Sequence, residues 1–133
     1  MCRRTSPSSL MTQKILVLDN SAEYRQLLEQ VVVGMGYEAR VTDRATEAWR
    51  ILQKDPHDLV LMDVKMPSVH GDQFLKYIRE KGFSAPVIAI SGYLTPKVIE
   101  QLRKYRISRV LSKPFTIRRL AAEINETIGA PDG

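Results

Sequence analysis

Cysteine is almost absent from this 133-residue sequence, since Cys2 is the only one. A single cysteine cannot form an intrachain disulfide, which excludes a scaffold held together by such bonds. The two histidines, His57 and His70, have no cysteine or histidine partner at the spacing of a zinc site, and we interpret both as loop residues. The fold must therefore rest on a hydrophobic core, for which this chain length is sufficient.

Long hydrophobic runs are also missing. No apolar run approaches the ~18 residues that a membrane-spanning helix needs, and the first ten residues contain Arg3 and Arg4 but no apolar stretch of a signal peptide. We therefore expect a cytoplasmic protein without membrane contacts. A polar, serine-rich start predicts a flexible leader over residues 1–12, followed by one domain over residues 13–130 and a tail over residues 131–133.

Short apolar segments predict five β-strands. Those at residues 15–18, 59–62 and 87–90 are apolar at consecutive positions, which is typical of strands covered on both faces. Residues 37–42 alternate between apolar and polar side chains and predict a weaker strand. Residues 107–111 are more polar than the central strands and are expected at an edge of the sheet.

The intervening segments have helical periodicity, with start and stop signals at their ends. Ser21, Thr95 and Thr116 are expected to cap the first, fourth and fifth helices, and Pro96 suits a first helical position. The second helix should stop at Asp55 because a proline follows it. The first helix is expected to have an apolar stripe formed by Tyr24, Leu27, Leu28, Val31, Val32 and Met35. The residues of the last helix that are expected to face inward are Ile117, Leu120, Ala121, Ile124 and Ile128.

This alternation of strands and helices predicts a parallel sheet with helices on both faces, in which ligands bind beyond the carboxyl ends of the strands. Polar residues stand at those ends: Asp19, Asn20, Asp63, Ser91 and Lys113. Carboxylates on neighbouring strands can bind a hard cation such as Mg²⁺. A lysine and a serine hydroxyl can bind phosphate oxygens, and an aspartate in such a setting can be a nucleophile for phosphoryl groups.

Together these segments resemble the receiver domains of two-component response regulators. The matching stretches are ILVLDN from Ile15, LMDVKMP from Leu61 with Gly71 after it, AISG from Ala89 and LSKPF from Leu111. The resemblance extends over nearly all of residues 14–129. It implies a flavodoxin-like, doubly wound α/β fold, with a five-stranded parallel sheet in the order 2-1-3-4-5 and five helices.

The resemblance also implies a signalling domain rather than a turnover enzyme. Asp63 would accept a phosphoryl group from a histidine kinase or a histidine phosphotransfer protein. Asp19, Asn20, Asp63 and the backbone carbonyl of Lys65 would bind Mg²⁺.

The remaining implied roles belong to the residues after the last two strands. Lys113 would contact the phosphoryl oxygens, and Ser91 would donate a hydrogen bond to the phosphoryl group. The peptide bond between Lys113 and Pro114 would be cis. Helix 4, strand 5 and helix 5 would form the face for output and dimerisation.

Two residues depart from the family pattern. Asn20 stands where a second acid is usual, so Asp19, Asp63 and Lys113 together give the site a charge of about −1 rather than −2, and we expect weaker binding of Mg²⁺. Val110 stands where an aromatic switch residue is frequent, so we do not expect switching by an aromatic side chain.

The basic residues are concentrated in one part of the chain, although the formal net charge is only +5. Two interpretations of this basic segment stay open. It forms a docking surface for an acidic protein partner or for a second copy of the chain, or it is a solvated face without a partner. Nucleic acid is less favoured because no recognition-helix motif accompanies the charge. Between Thr95 and Arg119 the only acid is Glu100, and the eight basic residues are Lys97, Arg103, Lys104, Arg106, Arg109, Lys113, Arg118 and Arg119.

Three other functions compete with phosphoryl acceptance. The first is a degenerate receiver that acts as a binding or dimerisation module, which Asn20 and Val110 favour. A small phosphohydrolase with an aspartyl intermediate is disfavoured because Lys65 stands where its second acid is commonly needed. A flavodoxin-like FMN protein is weaker still, since no phosphate loop rich in Ser, Thr and Gly follows the first strand.

Overall fold

A five-stranded parallel sheet with helices on both faces organises the chain in the computed structural model, which describes residues 13–66, 69–92 and 94–129. The strands are β1 (Lys14–Leu18), β2 (Glu38–Thr42), β3 (Leu59–Asp63), β4 (Val87–Ser91) and β5 (Arg109–Ser112). The helices are α1 (Ala22–Gly34), α2 (Ala45–Lys54), α3 (Gly71–Glu80), α4 (Pro96–Lys104) and α5 (Ile117–Ile128).

The strand order is β2-β1-β3-β4-β5, with every neighbouring pair parallel. This confirms the doubly wound α/β fold with the order 2-1-3-4-5. The expected leader at residues 1–12 and the expected tail at residues 131–133 lie outside the described residues.

The core consists of two apolar clusters, one on each face of the sheet. On one face, Leu16 and Val60 pack under α2, α3 and α4. On the other face, Ile15 and Val17 pack under α1 and α5. Alternate residues of one strand therefore enter different clusters, which explains why the central strands are apolar at consecutive positions. Each fully buried aliphatic side chain contributes about 1.5–3 kcal/mol to folding.

The expected helix caps are present. The side-chain oxygens of Ser21, Thr95 and Thr116 accept hydrogen bonds from the backbone N–H groups of the third residue after each of them. These caps satisfy N–H groups that the helix itself leaves without partners. They also fix where α1, α4 and α5 begin after β1, β4 and β5, three of the connections at the carboxyl edge of the sheet.

Strand β5 begins two residues later than its sequence pattern suggested. Ile107 belongs to the turn that follows α4, because its N–H donates to the carbonyl of Leu102 at 3.1 Å and Arg106 has a positive φ of 61°. Ser108 then pairs with the start of β4, where its hydroxyl accepts from the N–H of Val87 at 3.1 Å. The apolar side chain of Ile107 packs at the edge of the core without entering the strand ladder.

The prediction that Ile117 faces the core is wrong. Ile117 is 56% exposed, whereas Leu120 and Ile124 of the same helix are buried. It lines an open groove between α1 and α5, so it faces the neighbouring helix rather than the sheet. Periodicity shows which residues lie on one side of a helix. It does not show which of them extend past the edge of the sheet and so have no strand to pack against.

A buried arginine joins the two connections that lead into β4 and β5. The guanidinium of Arg79 donates to the carbonyls of Phe83 and Ala85 before β4, at 2.9 and 2.8 Å. It also donates to the carbonyls of Tyr105 and Arg106 before β5, at 3.2 and 3.1 Å. The planar fork of arginine suits several acceptors at once. This contact aligns the amino ends of the strands whose carboxyl ends lead to Ser91 and Lys113.

Gly71 lies against the backbone that follows β3. Its N–H donates to the carbonyl of Val64 at 2.6 Å. A Cβ atom at this position would lie 2.7 Å from the carbonyl oxygen of Asp63 and 2.7 Å from the Cα of Val64. Both neighbours are backbone atoms, so they cannot rotate away as a side chain could. Glycine is therefore needed here for close approach.

We expect Gly71→Ala to lower the free energy of unfolding by about 1–3 kcal/mol, because the backbone after Asp63 must move. Gly34→Ala is the matched control, since a Cβ there meets nothing within 4 Å. That variant should be neutral or up to about 1 kcal/mol more stable. Urea denaturation of the three proteins measures both effects, and equal stability of Gly71→Ala and the wild type would contradict the expectation.

Candidate functional site

The carboxyl edge of the sheet brings two buried carboxylates to one ammonium group. The Nζ of Lys113 lies 3.0 Å from Oδ2 of Asp19 and 3.4 Å from Oδ2 of Asp63. Asp19 is 1% exposed and Asp63 is 7% exposed. Strands β1 and β3 are neighbours in the sheet, so their carboxyl ends lie side by side, while the connection after β5 supplies the lysine.

Each carboxylate is held by a second hydrogen bond from the backbone. Oδ1 of Asp19 accepts from the N–H of Ser21 at 2.8 Å. Oδ1 of Asp63 accepts from the N–H of Lys65 at 3.2 Å. The two side chains therefore have little rotational freedom, and the Oδ2 atom of each is directed to Lys113.

Burial raises the pKa of Asp63 above its ordinary value of 3.8, and the negative charge of Asp19 raises it further. The charge of Lys113 and the N–H of Lys65 act in the opposite direction but do not reverse the shift. One ammonium therefore does not fully compensate two buried carboxylates. Additional positive charge at the site would stabilise the ionised form of Asp63.

The other predicted site residues lie on the same edge. Ser91 ends β4, is buried, and pairs in register with Ser112. Its carbonyl accepts from the N–H of Lys113 at 2.9 Å, which ties the connection after β5 to β4. Asn20 and Lys65 are exposed next to the two carboxylates. The peptide bond between Lys113 and Pro114 is cis.

The available donors suit a hard cation. Asp19 and Asp63 offer carboxylate oxygens, Asn20 an amide oxygen and Lys65 a backbone carbonyl, and Mg²⁺ prefers oxygen ligands of this kind. Over residues 13–66, 69–92 and 94–129, no three side chains of Asp, Glu, His or Cys form a cluster that could hold a metal. Neutral oxygens would therefore complete the ligand set, with water in the remaining positions.

Two residues of α1 also belong to the site, although the sequence did not identify them. Lys113 Nζ lies 3.9 Å from the ring centroid of Tyr24, at the distance of a cation–π contact. Nη1 of Arg25 donates to the carbonyls of Asp19 and Asn20 at 2.9 and 3.3 Å. Tyr24 fitted the apolar stripe of α1, and only its place in the first turn after Asp19 could have drawn attention to it.

The basic surface is smaller than the sequence suggested. Arg109 and Arg119 form ion pairs with Glu123, at 3.1 and 2.8 Å, and Arg109 also lies 3.2 Å from Glu126. Lys113 belongs to the site. The two acids lie on α5, beyond the segment in which the basic residues were counted. The other basic residues of this segment stay exposed: Lys97, Arg103, Lys104, Arg106 and Arg118.

Val110, which stands where the family frequently has an aromatic switch residue, is half-buried. Val110 lies in β5 and packs at the edge of the cluster under α4. A short aliphatic side chain in this place contributes to packing and has no ring to move between buried and exposed positions.

Fold and site together define a doubly wound α/β protein with an acidic, lysine-bridged site at the carboxyl edge of its sheet. The family model for the response regulator receiver domain matches residues 15–125. The chain belongs to that family.

Curated relatives include proteins of very different length. The polar-differentiation response regulator DivK of Brucella abortus is 26% identical over 121 residues, which cover 90% of this chain and 98% of DivK. The sensor histidine kinase RcsC of Escherichia coli K12 is 30% identical over 103 residues, 77% of this chain. The chain spans only 11% of the length of RcsC, so the similarity concerns one part of that protein.

Solved structures show the same fold. The chemotaxis protein CheY4 of Vibrio cholerae superimposes with a TM-score of 0.83 at 24% identity and covers 87% of this chain and 98% of its own. A CheY-like receiver domain from Methanospirillum hungatei gives a TM-score of 0.84 at 21% identity, covering 88% and 94%. None of the helices within the described ranges is long and apolar enough to cross a membrane.

The raised pKa of Asp63 gives an expected pH dependence of stability. A carboxyl with a higher pKa in the folded than in the unfolded state destabilises the fold once the pH rises through its folded pKa. Asp63→Asn removes that charge, so the variant should be more stable than the wild type at pH 7. The difference should shrink as the pH falls towards 3.8, the ordinary value.

Urea denaturation at a series of pH values measures this difference. Asp43→Asn is the control, since Asp43 is exposed and lies outside the site. An Asp63→Asn variant that is less stable than the wild type at pH 7 would show that Lys113 more than compensates both carboxylates.

Proposed function

We propose that this receiver domain accepts a phosphoryl group on Asp63 from a phosphohistidine donor in a reaction that depends on Mg²⁺. The observation that supports this most is the pair of buried carboxylates that share the ammonium of Lys113. A structural ion pair would need one carboxylate. The second acid leaves the site deficient in positive charge, as expected for a site that binds a cation and then a phosphoryl group.

In the proposed reaction, an ionised oxygen of Asp63 attacks the phosphorus of phosphohistidine. The new phosphorus–oxygen bond forms as the phosphorus–nitrogen bond breaks, and the imidazole nitrogen keeps that bond's electron pair and takes up a proton from solvent. The product is an acyl phosphate on Asp63. Lys113 would donate to the phosphoryl oxygens, and the hydroxyl of Ser91 would donate to another of them.

Bound Mg²⁺ would supply positive charge where the transition state carries negative charge on the phosphoryl oxygens. Asp19, Asn20, Asp63 and the carbonyl of Lys65 would hold it. The contribution of the protein is to keep Asp63 and Lys113 in fixed positions, so that little reorganisation is needed when the phosphoryl group arrives. The domain would then act as a switch rather than as a turnover enzyme.

The donor would be a histidine kinase or a histidine phosphotransfer protein in the cytoplasm. The output would pass through α4, β5 and α5, whose exposed basic residues suit an acidic protein partner or a second copy of the chain. No direct contact with nucleic acid or with a membrane is proposed for this domain.

Phosphorylation can be tested with a small donor, since no cognate kinase is needed. Incubation with acetyl phosphate or phosphoramidate and Mg²⁺ should add the mass of one phosphoryl group to the intact protein. Asp63→Ala should stay unmodified, and Asp43→Ala, which removes an exposed aspartate outside the site, should be modified like the wild type.

A second candidate function is a degenerate receiver that binds a partner without phosphoryl transfer, and Asn20 is the residue that favours it. Absence of an adduct on the wild-type protein, together with no binding of beryllofluoride, would reject the proposed phosphoryl acceptance and support this alternative. Modification of Asp63→Ala to the wild-type extent would place the acceptor elsewhere.

We expect Asn20→Asp to bind Mg²⁺ about 10-fold more tightly than the wild type, which corresponds to about 1.4 kcal/mol. The reason is the added carboxylate charge next to Asp19 and Asp63. Backbone amide shifts of Asp63 and Lys65 during a Mg²⁺ titration measure the affinity by NMR. Gln53→Glu, which makes the same change in charge on an exposed position of α2, should leave the affinity unchanged. Equal affinity of Asn20→Asp and the wild type would refute the argument from charge.

A further inference from the structure

Lys113 has a third neighbour besides the two carboxylates, and the proposed reaction has given it no role. The ring centroid of Tyr24 lies 3.9 Å from the Nζ of Lys113. We propose that Tyr24 is a positioning residue that holds the ammonium of Lys113 over Asp63 for phosphoryl acceptance. This inference rests on the proposed function of Asp63.

The first turn of α1 fixes the place of Tyr24 relative to the site. The N–H of Tyr24 donates to Oγ of Ser21 at 3.3 Å, and the N–H of Ser21 donates to Oδ1 of Asp19 at 2.8 Å. Arg25 binds the carbonyl of Asp19 from the same turn. A short chain of hydrogen bonds therefore links the backbone of Tyr24 to one of the carboxylates that binds Lys113.

The other side of the contact is held by the connection after β5. The rings of Tyr24 and Phe115 have centroids 5.7 Å apart and are tilted by 47°. Phe115 is half-buried against the core cluster under α1 and α5. Lys113 and Phe115 thus approach Tyr24 from the same connection, two residues apart, and the tyrosine ring joins that connection to α1.

An aromatic face suits a lysine that must change its hydrogen-bond partners. A ring attracts the ammonium without requiring a directed N–H bond. The N–H groups that bind Asp19 and Asp63 can therefore turn towards a phosphoryl oxygen while the ring still holds the charge in place. Without the ring, the flexible four-carbon stem of lysine would be restrained at its tip by the carboxylates alone.

Packing alone is the competing explanation, since Tyr24 also fits the apolar stripe of α1. The two explanations differ in which replacements they tolerate. A positioning role needs a ring face over Lys113, which phenylalanine supplies and leucine does not. A packing role needs only an apolar side chain of similar reach.

The test compares Tyr24→Leu with Tyr24→Phe. Tyr24→Leu should be phosphorylated by phosphoramidate about 5–10-fold more slowly than the wild type, since a cation–π contact of this kind supports an effect of about that size. Tyr24→Phe should stay within about 2-fold of the wild-type rate. Thermal unfolding shows whether each variant is folded, and the rates are compared over a range of phosphoramidate concentrations at saturating Mg²⁺.

NMR of protein labelled with ¹³C-lysine gives a second readout that needs no phosphorylation. The ε protons of Lys113 should be shifted upfield by the ring in the wild type and in Tyr24→Phe, and should move towards the ordinary lysine position in Tyr24→Leu. Lys97, which is exposed on α4, serves as the internal control and should not move.

The outcomes separate this inference from the proposed function. If wild-type Asp63 accepts no phosphoryl group, the proposed function fails, and the positioning role in that reaction fails with it even where the NMR shift shows the ring contact. If Asp63 is phosphorylated but Tyr24→Leu reacts as fast as the wild type, the proposed function stands and the positioning role of Tyr24 is overturned. A slow Tyr24→Leu variant without a change in the Lys113 signal would also overturn it.

Discussion

The shared contact of Lys113 with Asp19 and Asp63 is the interaction on which the site depends. Two carboxylates at the ends of neighbouring strands repel one another, and burial makes the repulsion stronger because little water screens them. The ammonium lowers this cost, but the pKa of Asp63 is still raised. The site therefore carries less positive charge than its two buried carboxylates need. A buried carboxyl group with a raised pKa beside a charged partner is a common feature of functional positions.

The rest of the fold supports this contact. Two apolar clusters fix the sheet, and the caps of α1 and α5 set the connections that border the site. The buried guanidinium of Arg79 holds the entries to β4 and β5, and Gly71 lets the backbone pass close behind Asp63. The site lies on the carboxyl edge because all five strands run in one direction, and their polar residues meet where the apolar strands end.

Within the receiver family, this chain keeps two buried carboxylates in contact with a lysine and differs in the residues around them. Asn20 is an amide where the family usually has a second acid, so the edge of the sheet next to Asp19 carries one negative charge fewer. Val110 is half-buried in β5 and has no aromatic ring. A response to phosphorylation would therefore have to involve a different residue. Arg109 on β5 and Arg119 on α5 form ion pairs with Glu123. The basic residues that are left without these pairs lie largely on α4 and just after it, so an acidic partner would bind there.

Apolar runs, helix caps and polar residues at strand ends are local signals, so the sequence was enough to predict the succession of strands and helices and the starts of α1, α4 and α5. The same signals pointed to four polar residues at the strand ends, Asp19, Asp63, Ser91 and Lys113. The strand order came from the resemblance to the receiver family. Which side chains meet across distant segments depends on the packing of the elements in three dimensions. The apolar stripe of α1 accounts for Tyr24 from the sequence alone, whereas the connection after β5 places Lys113 over its ring. Periodicity predicts that Ile117 faces the core, and a charge count includes Arg109 and Arg119 in a free basic surface. Both patterns fail here because they do not contain the three-dimensional distances between elements. Those distances follow from how the helices pack on the sheet, and short-range patterns do not specify them.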